Sequence, residues 1–307
     1  MPDPRVVRRP DQRRRMRFLL QVIGLALLFG TGLWLRTLPS TTISSALGGW
    51  RPWTKSSMVT LYFADGEFLF PVSRRMPAND NLHRAALQAL IDGPAARTGL
   101  KHSIPSGVQI HSIKLVDAIA QIDLSAAFLQ EDADVSMAKT AVVATMTALP
   151  GVTSVMLSVE GNPLAESAQR VPLLYYASAN GLVAVPASAK DPRSALTAYL
   201  SSPADPELTG FPPDARLLNY SYDPADRFLS LDFTYSPSVR TLALDKPERM
   251  RTLLLGLITT LTEFPEVQAV RLDFQGQTRL GLGQCSDLLR TPQPRPQLLN
   301  DERLLGR

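Results

Sequence analysis

Hydrophobic positions along this chain fall into short blocks whose period alternates between that of a strand and that of a helix. An apolar block at 58–63 is followed by a second at 68–73. The stretch HRAALQALIDGP then sets Ala86, Leu87, Leu90 and Ile91 on one stripe at helical spacing. Gly93-Pro94 ends that helix, because proline donates no backbone bond and disfavours a helical residue before it. Val108–Val116 alternates through Val108, Ile110 and, after His111, Ile113 and Leu115. Ile119–Leu124 returns after a short turn at Asp117-Ala118. A second helical stripe (Val135, Ala138, Val142, Thr145, Met146, Leu149) covers about 135–148, Pro150-Gly151 breaks it, and a last strand spans 152–159.

The same order then recurs. Leu61-Tyr62 is answered by Leu174-Tyr175, Pro71 by Pro186, and Gly93-Pro94 by Ser202-Pro203. Further on, Asp123-Leu124 is answered by Asp232-Phe233, and Leu149-Pro150-Gly151-Val152 by Phe264-Pro265-Glu266-Val267. Offsets stay between 107 and 115 residues, which marks an internal duplication. In the second copy the strands are expected at 171–176, 182–186, about 216–222, 228–234 and 267–274. Asp223-Pro224-Ala225-Asp226 makes the turn, and Pro247 opens a helix over about 247–262. The pattern predicts an α+β fold: two tandem repeats, each a mixed, mainly antiparallel sheet covered by two helices, after an N-terminal transmembrane helix.

The expected organisation runs from a basic cytoplasmic N-terminus (1–17) through a transmembrane anchor (18–36) and a linker (37–57) to a first domain (58–164). A second domain (171–283) follows the short connection AESAQR at 165–170, and residues 284–307 read as a flexible tail. The anchor rests on residues 18–35, eighteen residues without a charge, which at ~1.5 Å per residue span ~27 Å, near the thickness of a bilayer core. The competing reading is a cleaved signal peptide, whose apolar region is shorter, about 7–15 residues. Its first small-x-small site here, Ser44-Ser45-Ala46, lies well beyond the apolar run.

Charge supports a topology signal over a nucleic-acid surface. Seven arginines against Asp3 and Asp11 make residues 1–17 net +5, while the whole chain is +4, which leaves −1 for the rest. A phosphate-tracking groove needs clustered positive charge on the folded part. The arginines beside the apolar run instead place the N-terminus in the cytoplasm and the remainder outside it.

The motifs LYF (61–63), ALQALIDGP (86–94), IPSGVQIHSIKLVDAIAQIDLSAAF (104–128) and ALPGVTSVMLSVEGNPL (148–164) together make residues 58–164 resemble the GerMN domain. That domain is named for a bacterial spore germination and sporulation protein. Residues 171–283 resemble it more loosely. The resemblance implies a membrane-tethered extracytoplasmic module, in the known tandem layout, similar to the ring-building modules of sporulation secretion complexes. It implies an interaction domain without catalytic chemistry. The chain departs from the founding layout in having no lipobox cysteine.

Candidate chemistry is sparse. Cys285 is the only cysteine, which excludes an intrachain disulfide and a multi-cysteine zinc site. It is open whether it fills a core or pairs with another chain. Asp123 and Asp232 occupy matching strand ends, where a carboxylate pair competes with turn residues accepting backbone N–H groups. Glu131, Asp132 and Asp134 read as the cap and acidic start of a helix, against a calcium site for which the EF-hand spacing and its glycine are absent. His83, His102 and His111 have no metal-ligand spacing, and no nucleophile elbow or phosphate loop is present. Tyr175, Tyr176, Tyr220, Tyr222, Phe228, Phe233 and Tyr235 would suit stacking on a glycan, or core packing.

The expectation is therefore a non-enzymatic envelope scaffold with no catalytic, metal or cofactor residues. Its partners would be the cell membrane and an envelope protein or its own copies, and not nucleic acid. The alternatives are a peptidoglycan-binding module and, last, an envelope hydrolase using Asp123, Asp232 or His102.

Overall fold

The opening hairpin of each copy is where the two copies meet. In the computed structural model, which describes residues 56–130, 134–164, 167–201, 203, 205–277 and 282–305, β1 (Ser56–Asp65) pairs antiparallel with β2 (Phe68–Pro77). β8 (Leu173–Ala177) pairs likewise with β9 (Leu182–Pro186). The four strands form one sheet in the order β1-β2-β9-β8. One sheet inside each repeat was expected; here each repeat is divided between this shared sheet and a sheet of its own. The physical reason is burial. Leu61, Tyr62 and Phe63 are consecutive and all inaccessible, so the hairpin is apolar on both faces. A two-stranded hairpin of that kind needs further strands and covering helices to exist in water.

The rest of each copy follows the predicted order. In the first, α1 (Leu82–Asp92) precedes β3 (Ile110–Val116), β4 (Ile119–Leu124), α2 (Val135–Thr147) and β5 (Ser154–Val159). Two short strands, β6 (Asn162–Pro163) and β7 (Ala168–Gln169), border β5. β3 and β4 are antiparallel, and Asp117 and Ala118 both take positive φ in the two-residue turn between them. β4 and β5 are parallel, joined by the crossover through α2. In the second copy, α3 (Pro192–Leu200) opens with a capping box between Asp191 and Ser194. There follow β10 (Leu217–Asp223), β11 (Phe228–Phe233), α4 (Pro237–Asp245), α5 (Pro247–Leu261) and β12 (Ala269–Phe274), with β11 and β12 again parallel. The fold is α+β with mixed sheets, and both copies fall within one compact unit, Lys55–Arg307.

Several elements were not foreseen, among them β6 and β7 beside the connection. α4 was missed because it buries only Val239 and Ala243, too thin a stripe to register as helical, although Ser236 caps it through Val239 N–H. The segment expected to be a flexible tail, 284–307, is instead laid on the folded unit through residue 305. α6 (Asp287–Arg290) buries Leu288 and Leu289, and β13 (Gln293–Pro294) pairs with β12. Asn300 is also buried. Its polar composition resembles that of a disordered tail, but its polar groups have specific partners. Cys285 is buried too, donating to the Pro247 carbonyl, and burial pushes its thiol up to about 11. That is the core-filling alternative.

α2 and α5 pack on the outer strands β1 and β8. There Tyr62 N–H donates to Thr145 Oγ1 (3.2 Å) and Tyr175 N–H donates to Thr260 Oγ1 (2.9 Å). A buried edge strand leaves such amides without a ladder partner, and the two threonines supply one. Thr145 looked like part of an apolar stripe; its hydroxyl is the group that matters. The basic segment, the apolar run and the linker as far as residue 55 lie outside the described residues, as do Glu131 and Asp132. Among the described residues no helix is long and apolar enough to cross a membrane.

α5 packs tightly on the sheet at Gly256, where an added Cβ would collide with the Tyr175 carbonyl oxygen and crowd the Tyr199 hydroxyl. Gly256→Ala is expected to destabilise the protein by about 3 kcal/mol, read as a lower urea midpoint, despite alanine's better helix propensity.

Candidate functional site

The two copies bring their matching tyrosines together. The Tyr62 and Tyr175 hydroxyls lie 2.7 Å apart in the interior, as equivalent residues do beside a local twofold axis. Tyr175 Oη donates to Glu263 Oε1 (2.9 Å), so the proton between the tyrosines belongs to Tyr62. Glu263 lies just past α5 and its side chain is 1% exposed. Two arginines hold it. Arg170 Nε and Nη2 both donate to Oε2, at 2.9 and 2.7 Å. Arg295 Nη2 pairs with Oε1 and also donates to Tyr175 Oη at 3.0 Å. Two further guanidinium nitrogens are used as well: Arg170 Nη1 donates to the Thr147 carbonyl and Arg295 Nη1 to that of Thr259.

These arginines come from matching places. Arg170 follows β7, which borders β5, and Arg295 follows β13, which borders β12. The site is thus symmetric in its arginines and tyrosines and asymmetric in its one carboxylate, since the first copy has Ala148 where the second has Glu263. Burial and then the Glu263 charge raise the Tyr62 and Tyr175 phenols. Burial works against the charge on Arg295, but Glu263 and the tyrosines outweigh it and hold the guanidinium protonated. What the arrangement does is tie residues from both copies, the connection and the C-terminal segment to one buried charge.

The candidates singled out from the sequence are dispersed. Asp123 and Asp232 lie in different sheets, on β4 and β11. Each accepts a backbone N–H in the turn after the neighbouring strand, Asp123 from Gly161 (2.9 Å) and Asp232 from Gly276 (3.0 Å). The Gly161 bond is the main reason the Asp123 carboxyl sits below its usual range. Asp134 caps α2 through Met137 N–H. His83 bonds the Pro150 carbonyl, His111 lies 3.5 Å from Asp123, and His102 packs over Gly93. A groove of about 400 Å³ beside His102 contains Ser103 and Asp134, but the Ser103 hydroxyl donates to the Tyr62 carbonyl and Asp134 is engaged in its cap. Among the described residues no three His, Cys, Asp or Glu side chains could share a metal. Of the aromatics in the second copy, Tyr175, Tyr176 and Phe233 are core residues and only Tyr222 is exposed.

Sequence reasoning aligned Tyr62 with Tyr175 but missed Arg170, Glu263 and Arg295. The first lay in the short connection between the copies and the last in a presumed tail. A Glu two residues past an apolar stripe carries no signal of burial.

The sequence model of one family, described as Germane: sporulation and spore germination, matches residues 60–165 and again 173–280. No curated protein matches the chain. Among solved structures it is similar to the tandem GerMN domains of the sporulation protein GerM from Bacillus subtilis. That match has a TM-score of 0.62 at 19% identity and covers 80% of this chain and 99% of that one. The first GerMN domain of the same protein also matches, at 20% identity and a TM-score of 0.31, over 37% of this chain and 97% of that one.

Two outcomes test the electrostatics. Glu263→Gln leaves two guanidiniums facing each other without a counter-charge. Because these are 32% and 28% exposed, the cost is expected at the low end for a broken buried pair, about 3 kcal/mol by urea denaturation. Asp273 is the second case. It stands beside Asp232 in the β11–β12 register, and its Oδ1 is buried with no hydrogen-bond partner among the described residues. Burial, with the Asp232 charge added and Arg271 opposing, raises its carboxyl above the usual value. A raised carboxyl costs stability at neutral pH, and the cost disappears as pH falls through the folded value. Asp273→Asn should therefore raise the thermal midpoint at pH 7, and the gain should vanish below about pH 4.

Proposed function

The chain belongs to the Germane family of sporulation and spore germination, and from that premise we propose that it is a membrane-anchored, extracytoplasmic scaffold of the bacterial cell envelope. It works without catalysis, by presenting its two copies as one stiff surface to an envelope protein or to further copies of itself. The observation that carries this reading is the seam. The ionisable side chains gathered there, with Glu263, Tyr62 and Tyr175 buried and Arg170 and Arg295 half-buried, are engaged with one another and hold the copies together. A linker between independent modules would leave them free to move; a shared sheet and a buried ion cluster do not. The apolar run at 18–35 behind seven arginines supplies the anchor, with the N-terminus in the cytoplasm.

The test is fractionation with in-cell crosslinking. The full chain should sediment with membranes and resist carbonate extraction, while a chain begun at Ser56 should be released. Crosslinking before extraction should give discrete heavier species containing the full chain. A soluble full chain, or one that crosslinks to nothing, overturns the proposal.

A further inference from the structure

The shared sheet is nearly open at its centre. β2 and β9 pair only at Leu69 and Ala184. Two residues along, the same register sets Pro71 opposite Leu182, and proline has no N–H to continue the ladder. The C-terminal segment fills that gap. Asn300 Nδ2 donates to the Pro71 carbonyl (2.7 Å) and to the Leu182 carbonyl (2.8 Å), and Asn300 Oδ1 accepts from Leu182 N–H (3.0 Å). The carboxamide thus does for Leu182 what a neighbouring backbone would do, offering one donor side and one acceptor. Gly181 leaves room for it, since a Cβ there would run into Asn300 Oδ1.

The bonds on either side repeat the logic. Leu299 N–H donates to Ser73 Oγ, and Ser73 N–H donates to the Asn300 carbonyl. Glu302 takes a two-pronged bond from Arg74 (2.9 and 2.7 Å) and one from Ala95 N–H. Arg295 enters the Glu263 cluster. The segment therefore reads the first copy at Pro71, Ser73, Arg74 and Ala95 and the second at Tyr175, Leu182, Thr259 and Glu263.

We propose that the seam is a peptide-recognition groove and that residues 293–305 are its resident ligand. The groove takes a segment that runs from a short strand at Gln293–Pro294 to a 3-10 turn at Glu302–Leu304, presenting a guanidinium, a carboxamide five residues later and a carboxylate two residues after that. A second copy of this chain carries the same spacing, and its segment competes with the chain's own. The scaffold reading can fail without affecting this inference, which concerns the seam alone.

The experiment uses the full chain in detergent with a protease site placed at Thr291-Pro292, both exposed. After cleavage, a fluorescent peptide of residues 291–307 is added and anisotropy followed. The cleaved chain should bind it saturably, and the uncut chain at least tenfold more weakly, because its own segment competes at high effective concentration. Peptides carrying Asn300→Asp, Arg295→Ala or Glu302→Gln should each lose tenfold or more. Asn300→Asp is the sharpest, because it keeps shape and removes the donor to two carbonyls. A second variant needs no cleavage: the uncut chain bearing Arg295→Ala and Asn300→Ala should admit the wild-type peptide that the parent chain excludes. Equal binding to cut and uncut chains, indifference to the three substitutions, or no exchange in either variant overturns the proposal.

Discussion

A two-stranded hairpin that is apolar on both faces cannot stand alone in water, and this chain has two of them. Tyr62 and Tyr175 sit at the centres of β1 and β8 with no accessible surface. Each hairpin finds a helix on one side, through α2 or α5, and the other hairpin alongside, so that four strands and two helices form one interior. Everything else is arranged around that requirement. The three main strands that follow in each copy form a separate sheet, whose alternating burial lets it face water on its outer side, as in β4 and β11.

Fusing the copies brings polar groups inside, where each must be satisfied. The threonine hydroxyls of α2 and α5 answer the edge amides of β1 and β8. The tyrosine hydroxyls answer each other. One carboxylate then holds two arginines, and the local twofold symmetry is broken at that point. A buried charge cluster contributes little net stability compared with apolar packing, but it tolerates few alternative arrangements. Glu263 accepts from Arg170 and Arg295 at once only when the connection and the C-terminal segment are both in place. The cluster thus joins both copies, the connection and the C-terminal segment at one carboxylate.

The copies have diverged where the symmetry does not bind them. Asp123 stands beside Ser158 in the first copy, while the matching Asp232 stands beside Asp273 in the second. The Ser158 hydroxyl bonds a carbonyl and lies near Asp123, whereas Asp273 brings a second charge and an unpartnered oxygen. The backbone role of the shared aspartate, accepting from a glycine in the following turn, is kept in both.

Local order was legible because it depends on near neighbours. The strand and helix blocks, the Asp117-Ala118 turn, the duplication and the capping role of Asp134 follow from period, proline and glycine positions and short polar side chains. The partners of β1 and β8 were not legible, because an apolar hairpin states that it must be covered without saying by what. Nor were the partners of Arg170, Glu263, Arg295 and Asn300. An arginine in a Ser/Ala-rich connection and an asparagine in a proline-rich tail have the composition of solvated chain. Only the tertiary structure, by bringing segments more than a hundred residues apart to one seam, decided that Glu263 and Asn300 are interior and that the two arginines have specific partners, because burial and the bonds it requires are properties of the assembled fold.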